Sequence, residues 1–389
     1  MMSYELGALG SNQFVSSITD GSREPAGPVR YWEVGEYRSL LQSLESFLKT
    51  VLETDQVPFE ILYQSWNAYA VRNPVGVSGY KSLVGFMPQC AQWMDLCWPD
   101  YAYSADLQLF FDCFMRHQYS RLFSNGTLMG HVDRVTAAKL YNDFVGCLRA
   151  EAVRQGVRKK LADARANLGD QAKSIGCYLG ELTSQFGSLV PIRLDLGYAE
   201  DAFDASDAMS RMSWSLSSGV GWKMVPSCVP VSHGRQETRA RIDTRSATAD
   251  RDSFFANRRG ADKHLFERMV GHVCKQEQGG KNGVNHFHCV FLFDASGLKK
   301  ADVPALRYGL GDRWRRVTRG QGLVFDCHDE AYRRSIESHV QWAIDRLDCS
   351  DGGQVTRFVD YVVGYFAKDD GQMVRVKPTA KAQTLTKGR

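Results

Sequence analysis

The sequence predicts an α+β protein: an all-helical N-terminal region, then a mainly antiparallel central sheet with helices on one face. Three observations carry this expectation. Apolar residues recur at helical spacing through much of residues 31–186. Near residue 187 the pattern turns to alternation, beginning with "SLVPIRLDLGY". Two further runs, "VGHVCKQEQ" and "HFHCVFLF", flank the Gly- and Asn-rich "GGKNGVN", the arrangement of an antiparallel hairpin.

Residues 1–30 are rich in Gly, Ser and Pro and aperiodic, so a flexible arm is expected there. Residues 31–186 read as a helical domain whose role the sequence does not specify. "EYRSLLQSLESFLKTVLE" sets Leu40, Leu41, Leu44, Phe47, Leu48 and Val51 at helical spacing, and "ADLQLFFDCFMRHQYSRLF" and "VTAAKLYNDFVGCLRAEAVRQGVRKKL" repeat the pattern. Residues 187–389 form the second expected domain. Its first strand alternates Ile192, Leu194 and Leu196 with Arg193 and Asp195. Residues 199–250, rich in Ser, Ala and Arg, read as an insertion or long loop. A helix over "RDSFFANRRGADKHLFERM" leads into the hairpin. A helix over "DVPALRYGLGDRWRRV", a strand "GLVFDC" and helices over "DEAYRRSIESHVQWAIDRL" and "VTRFVDYVVGYFAK" follow.

At 389 residues, 43% apolar and 24% charged, the composition is that of an ordinary folded protein. No apolar run reaches the roughly 18 residues of a membrane span, and the first residues lack the pattern of a secretory signal. Ten cysteines without a CxxC pair fit free thiols in a reducing cytoplasm and argue against a zinc ribbon. The net charge of +4 is unevenly spread: residues 1–112 hold 6 basic and 13 acidic side chains, residues 113–186 hold 11 and 6. The tail "GQMVRVKPTAKAQTLTKGR" has five basic residues and no acidic one. Such a distribution permits a polyanionic partner, or simply solvated basic faces.

The chemistry concentrates in two motifs. On "HFHCVFLF" alternate side chains share a face, so His286 and His288 point one way while Phe287, Cys289, Phe291 and Phe293 point to a core. Two imidazoles on one strand face can converge on a cation, or can be ordinary half-exposed residues. Glu277, nine residues before His286, can be brought beside them by a short hairpin. A His/His/Glu set leaves positions for water and a phosphate oxygen and suits Mn²⁺ well and Mg²⁺ adequately, with Zn²⁺ the other reading. In "YVVGYFAK", Tyr361, Tyr365 and Lys368 fall on one helical arc, with Val359, Val362, Val363 and Phe366 on another. That is either a packed tyrosine pair beside a surface lysine or a nucleophile and its cation. A metal, a tyrosine and a lysine together make a coherent set for phosphodiester transesterification.

With these residues in view, the sequence resembles the HUH endonucleases, and within them the inovirus-type rolling-circle replication initiators of filamentous phages and prophages. "HFH" is similar to the two-histidine motif and "YVVGYFAK" to the tandem-tyrosine YxxxYxxK motif. The order "IRLDLGY", "KQEQGG…NHFHCVFLFD", "DRWRRVTRGQGLVFDC", "YFAKDD" carries the resemblance, which covers residues 187–389. It implies that residues 187–389 are an HUH endonuclease domain that nicks and rejoins single-stranded DNA through a 5′-phosphotyrosine. It also implies His286, His288 and Glu277 as metal ligands, Tyr365 as nucleophile, Lys368 as its assistant and Tyr361 as second nucleophile or packing residue. Single-stranded or locally melted origin DNA would be the partner, with host replication proteins such as a helicase, in the cytoplasm of a bacterial host. No small-molecule cofactor and no membrane are expected. Alternatives of the same fold are a single-strand transposase or relaxase, and a DNA-binding regulator that does not cut.

DNA contacts are sought in two places. Arg193 and Asp195 lie on the polar side of the first strand, where a structural ion pair is the other reading. Arg313, Arg315, Arg316 and Arg319 surround Trp314 in "RWRRVTR" and suit phosphates. Trp314 itself follows Leu306 and Leu310 at helical spacing and reads as core.

Overall fold

The computed structural model of the protein describes residues 32–33, 36–73, 78–98, 101–124, 127–199, 212–217, 221–226, 237–238, 243–256, 260–279, 283–337, 341–367 and 374–388. The expected arm, residues 1–30, and Lys368 lie outside the described residues. The first half comprises β1 (Trp32–Glu33), α1 (Glu36–Glu53), β2 (Phe59–Gln64), β3 (Asn67–Arg72), β4 (Ala102–Tyr103), α2 (Ala105–Arg116), β5 (Phe123–Ser124), β6 (Thr127–Leu128), α3 (Arg134–Arg154) and α4 (Val157–Gln185). Its core is aromatic. Trp93 sits with its ring centroid 5.0 Å from Phe47 and 5.4 Å from Phe110, and Phe110 stacks on Phe114.

The helices fall where their periodicity places them, but the expectation of an all-helical region is corrected by β2 and β3. They pair antiparallel, with Phe59 opposite Arg72 and Gln64 opposite Asn67. Phe59 is buried, and the Asn142 side chain of α3 accepts from its N–H and donates to its C=O. The turn contains neither glycine nor proline; Ser65 takes φ 54° instead, so the usual sequence mark of a hairpin is missing.

The second half comprises β7 (Ser188–Tyr198), β8 (Met212–Ser217), β9 (Gly221–Pro226), β10 (Glu237–Thr238), α5 (Thr244–Ala256), α6 (Lys263–Phe266), β11 (Met269–Gly279), β12 (Val284–Asp294), α7 (Val303–Val317), β13 (Gly322–Asp326), α8 (Glu330–Glu337), β14 (Leu347–Asp348), α9 (Gly352–Phe366), β15 (Val376–Lys377) and β16 (Leu385–Gly388). The main sheet runs β13-β7-β12-β11-β16, with β14 also on β7, and every pairing in it is antiparallel. The chain is thus a mixed helix-and-sheet protein, as expected.

Helices cover both faces of this sheet, which corrects the one-face expectation. On one face Ile192, Leu194, Leu196, Phe287, Phe291 and Phe293 pack with Phe254 of α5 and Leu310 and Trp314 of α7. On the other, Leu189, Val273, Val290 and Leu292 pack with Ile175, Leu179 and Leu182 of α4 and Phe358, Val362 and Phe366 of α9. The physical reason is that the second face is split. Its Leu/Val half demands an apolar cover, and its polar half, carrying Arg193, Asp195, Lys275, Glu277, His286 and His288, does not.

Two other expectations change. The stretch 199–250 is not simply a loop: β8 and β9 form a hairpin whose Trp214 and Trp222 pack on the N-terminal core, and α5 begins at Thr244. The helix expected over 329–347 extends only from Glu330 to Glu337 among the described residues. The two halves are also tied together. Val157 of α4 belongs to the first core while Ile175, Leu179 and Leu182 of the same helix belong to the sheet. Beyond α9 the basic tail returns to the first half, where β15 pairs with β4 and Arg375 forms ion pairs with Glu45 (2.7 Å) and Asp106. It then adds β16 to the edge of β11. No helix among the described residues is long and apolar enough to cross a membrane.

Candidate metal centre

The hairpin register builds the centre. Glu277 of β11 lies directly opposite His286 of β12, and Lys275 opposite His288. Directly opposed residues share a sheet face, so all four side chains project together. One carboxylate oxygen of Glu277, Oε2, is 3.2 Å from His288 Nε2 and 3.7 Å from His286 Nε2. Donor atoms of the three residues all lie within 4.8 Å of one another. Two donors each bound about 2.1 Å from one ion at right or tetrahedral angles lie roughly 3.0–3.4 Å apart. The three side chains therefore fit a divalent ion after only small adjustments.

Glu277 is 3% exposed. Burial alone would raise its pKa, but His286, His288 and Lys275 hold it well below the usual carboxylate range. Its other oxygen, Oε1, receives Lys275 Nζ at 2.7 Å. His288 feels burial in the opposite sense, and Asp195 and Glu277 outweigh it, raising the imidazole to about 9. In the absence of an ion, the cluster is a buried ion-pair network.

Behind His288 stands α9. Tyr365 Oη is 2.7 Å from His288 Nδ1, and Asp195 Oδ1 is 2.8 Å from the same nitrogen but out of line for a hydrogen bond. A single Nδ1 proton can serve only one of these oxygens. The tyrosine thus approaches the imidazole on the edge away from Glu277. Burial and Asp195 push the phenol well above its usual range, while Arg193 opposes them. The guanidinium carbon of Arg193 lies 3.6 Å from the Tyr365 ring centroid. That guanidinium donates to Tyr361 Oη at 2.6 Å and to Tyr332 Oη at 3.3 Å, and pairs with Asp195 at 3.7 Å.

The structure thus brings together Glu277, His286, His288, Asp195, Arg193 and Tyr365. It gives the two tyrosines different partners: Tyr361 is buried in the α9 core with its hydroxyl on Arg193, while the Tyr365 hydroxyl meets His288. As for the arginines expected on DNA, Arg193 is 2% exposed and Arg313 3% exposed. Arg193 supports the tyrosines, and Arg313 is consumed by Asp262 and the carbonyls of Ser253 and Phe254. Neither has a free face for a phosphate, which corrects that expectation. Arg315, Arg316 and Arg319 are exposed, but α7 packs on the opposite side of the sheet from the histidines. Arg316 is paired with Asp262 and Asp312. Trp314 is core, donating its indole N–H to the Gly197 carbonyl.

Sequence reasoning missed Lys275 and Tyr332 as members of the site. Lys275 had a signal, since it lies two residues before Glu277 on the same strand face. Tyr332 had none, because its approach to Arg193 depends on how α8 packs. Comparisons with protein-family models, curated proteins and solved structures find no match.

Proposed function

We propose that the protein is a metal-dependent strand transferase of the HUH endonuclease type, acting on single-stranded DNA in rolling-circle replication with Tyr365 as nucleophile. The observation that carries this reading is the contact between Tyr365 Oη and His288 Nδ1, on the imidazole whose other nitrogen joins the Glu277–His286 cluster. A phenol, two imidazoles and a carboxylate in that order form a set for phosphoryl transfer to tyrosine.

The bound ion would be held by Glu277, His286 and His288, and would polarise a scissile phosphate and offset its developing charge. The chain's residues do the rest. With Nε2 turned toward Glu277 and the ion it would help to hold, His288 would carry its proton on Nδ1, the edge that Tyr365 Oη faces. Arg193 lies against the Tyr365 ring and stabilises negative charge there. Tyr365 Oη would have to leave the Nδ1 edge of His288 to reach a phosphate held on the Nε2 side. Attack forms a tyrosine–5′-phosphate ester and breaks the bond to the 3′-oxygen; the phenol gives up its proton and the departing oxygen takes one up, leaving a free 3′-OH. One ester replaces another, so the step reverses without a nucleotide cofactor. Tyr361 holds Arg193 in place, which supports a one-tyrosine cycle. The role of Lys368 follows from the motif resemblance alone.

The test is incubation with single-stranded oligonucleotides and Mn²⁺, followed by denaturing electrophoresis. The reading requires a covalent protein–DNA adduct that chelator prevents. Tight DNA binding without an adduct would instead favour a regulator that does not cut. Stoichiometric zinc without cleavage would favour a structural metal site.

A further inference from the structure

Glu277 divides its two oxygens between two cations. Oε2 faces the histidines, and Oε1 is 2.7 Å from the Lys275 ammonium. Lys275 is no surface residue that swings in by chance. It is 4% exposed, lies on the same strand face two residues before Glu277, and sits across the hairpin from His288. Its partner strands on either side, β12 and β16, hold its backbone in the sheet.

A charge count around the centre follows among the described residues. Glu277 and Asp195 contribute two negative charges, Lys275 and Arg193 two positive ones, and His286 and His288 are neutral when they ligate. Lys275 touches Glu277, and Arg193 touches Asp195 at 3.7 Å. A divalent ion would therefore enter a centre whose one anionic donor, Glu277, is already offset by the Lys275 ammonium. Lys275 also bonds the second carboxylate oxygen, so an ion would share that oxygen with the ammonium.

We propose that Lys275 is a built-in competitor of the metal, which keeps the free centre weak for divalent ions and makes firm binding depend on the anionic phosphate of the substrate. This rests on the metal-centre reading above and specifies its regulation. Metal and phosphodiester then bind with positive coupling, and coupling of this kind is reciprocal. The ion is held firmly when a phosphate is in place, so the charge needed for cleavage is assembled with the DNA.

The test uses the full-length protein and isothermal titration with Mn²⁺ alone, then with Mn²⁺ in the presence of the dinucleotide dTpdT. The variants are Lys275→Gln, which removes the charge, and Lys275→Arg, which keeps it. Lys275→Met serves as a second neutral variant if the first folds poorly, with thermal unfolding of each metal-free variant as the check. Removing a positive charge a few ångströms from a divalent ion is expected to tighten Mn²⁺ binding by about tenfold or more. The neutral variants should show that gain without dTpdT and a smaller further gain with it. Lys275→Arg should behave like the unsubstituted protein. Equal Mn²⁺ affinity in the unsubstituted protein and the neutral variants overturns the proposal while leaving the metal centre intact. Weaker binding in the neutral variants also overturns it, since Lys275 would then be a strut for Glu277. Absence of Mn²⁺ binding in every form, with or without dTpdT, would overturn the metal-centre reading itself.

Discussion

Deleting the hydroxyls of Tyr361 and Tyr365 one at a time tests the proposed mechanism, because the two phenols share a helix but not a hydrogen-bond partner. Tyr361→Phe removes the acceptor 2.6 Å from the Arg193 guanidinium. That guanidinium is almost fully buried, so the lost bond to a charged group should cost about 1.5–3 kcal/mol of stability. Tyr365→Phe removes a bond of 2.7 Å to His288, whose imidazole, raised to about 9, is charged at neutral pH in the metal-free protein, so this loss should also cost about 1.5–3 kcal/mol. Urea unfolding of the metal-free proteins measures both. Activity should separate the two variants where stability does not. In Mn²⁺ with a single-stranded oligonucleotide, Tyr365→Phe should form no adduct, while Tyr361→Phe should still form one, more slowly because Arg193 is less firmly held. An adduct from Tyr365→Phe that disappears in Tyr361→Phe would refute the assignment of the nucleophile. An unchanged stability in Tyr361→Phe would refute the account of Arg193 as the buried support.

Two further outcomes follow from the same geometry. His288 is raised to about 9 from an ordinary 6.5, so its contribution is complete below 6.5 and lost as pH rises from there through 9, by a few kcal/mol at most. Glu277 is held low, so its contribution is present above its unfolded pKa and lost in acid. The metal-free protein should therefore be most stable in mildly acidic solution, and thermal unfolding of His288→Gln should lack the alkaline decline. Separately, Arg193→Lys keeps the charge but loses the planar group that stacks on Tyr365 and forks to two phenols. Adduct formation should slow by about tenfold while oligonucleotide affinity, read by fluorescence anisotropy, stays unchanged; a loss confined to affinity would make Arg193 a DNA contact after all.

What the sequence made legible was the division of the hairpin into faces. The alternation of "HFHCVFLF" correctly put Phe287, Cys289, Phe291 and Phe293 in a core and the histidines opposite. The register was not legible, since any short loop would satisfy the pattern, and only the fold sets Glu277 across from His286. The second helical layer was foreshadowed by the unbroken apolar start of "SLVPI", whose Leu189 and Val190 face different cores. The hairpin of β2 and β3 escaped notice because Ser65 takes the positive φ that Gly or Asn usually supplies. The arginines misled because a guanidinium suits a buried acceptor as well as a phosphate. Arg313 spends its donors on Asp262 and two carbonyls, a choice that depends on residues some 50 or more positions away.

The most direct test of the central claim is mass spectrometry of peptides from the protein after incubation with single-stranded oligonucleotides and Mn²⁺. The account predicts a nucleotide-bearing phosphate on Tyr365, absent after chelation and absent in His286→Ala. Modification at another residue, or at Tyr365 regardless of metal, would contradict it.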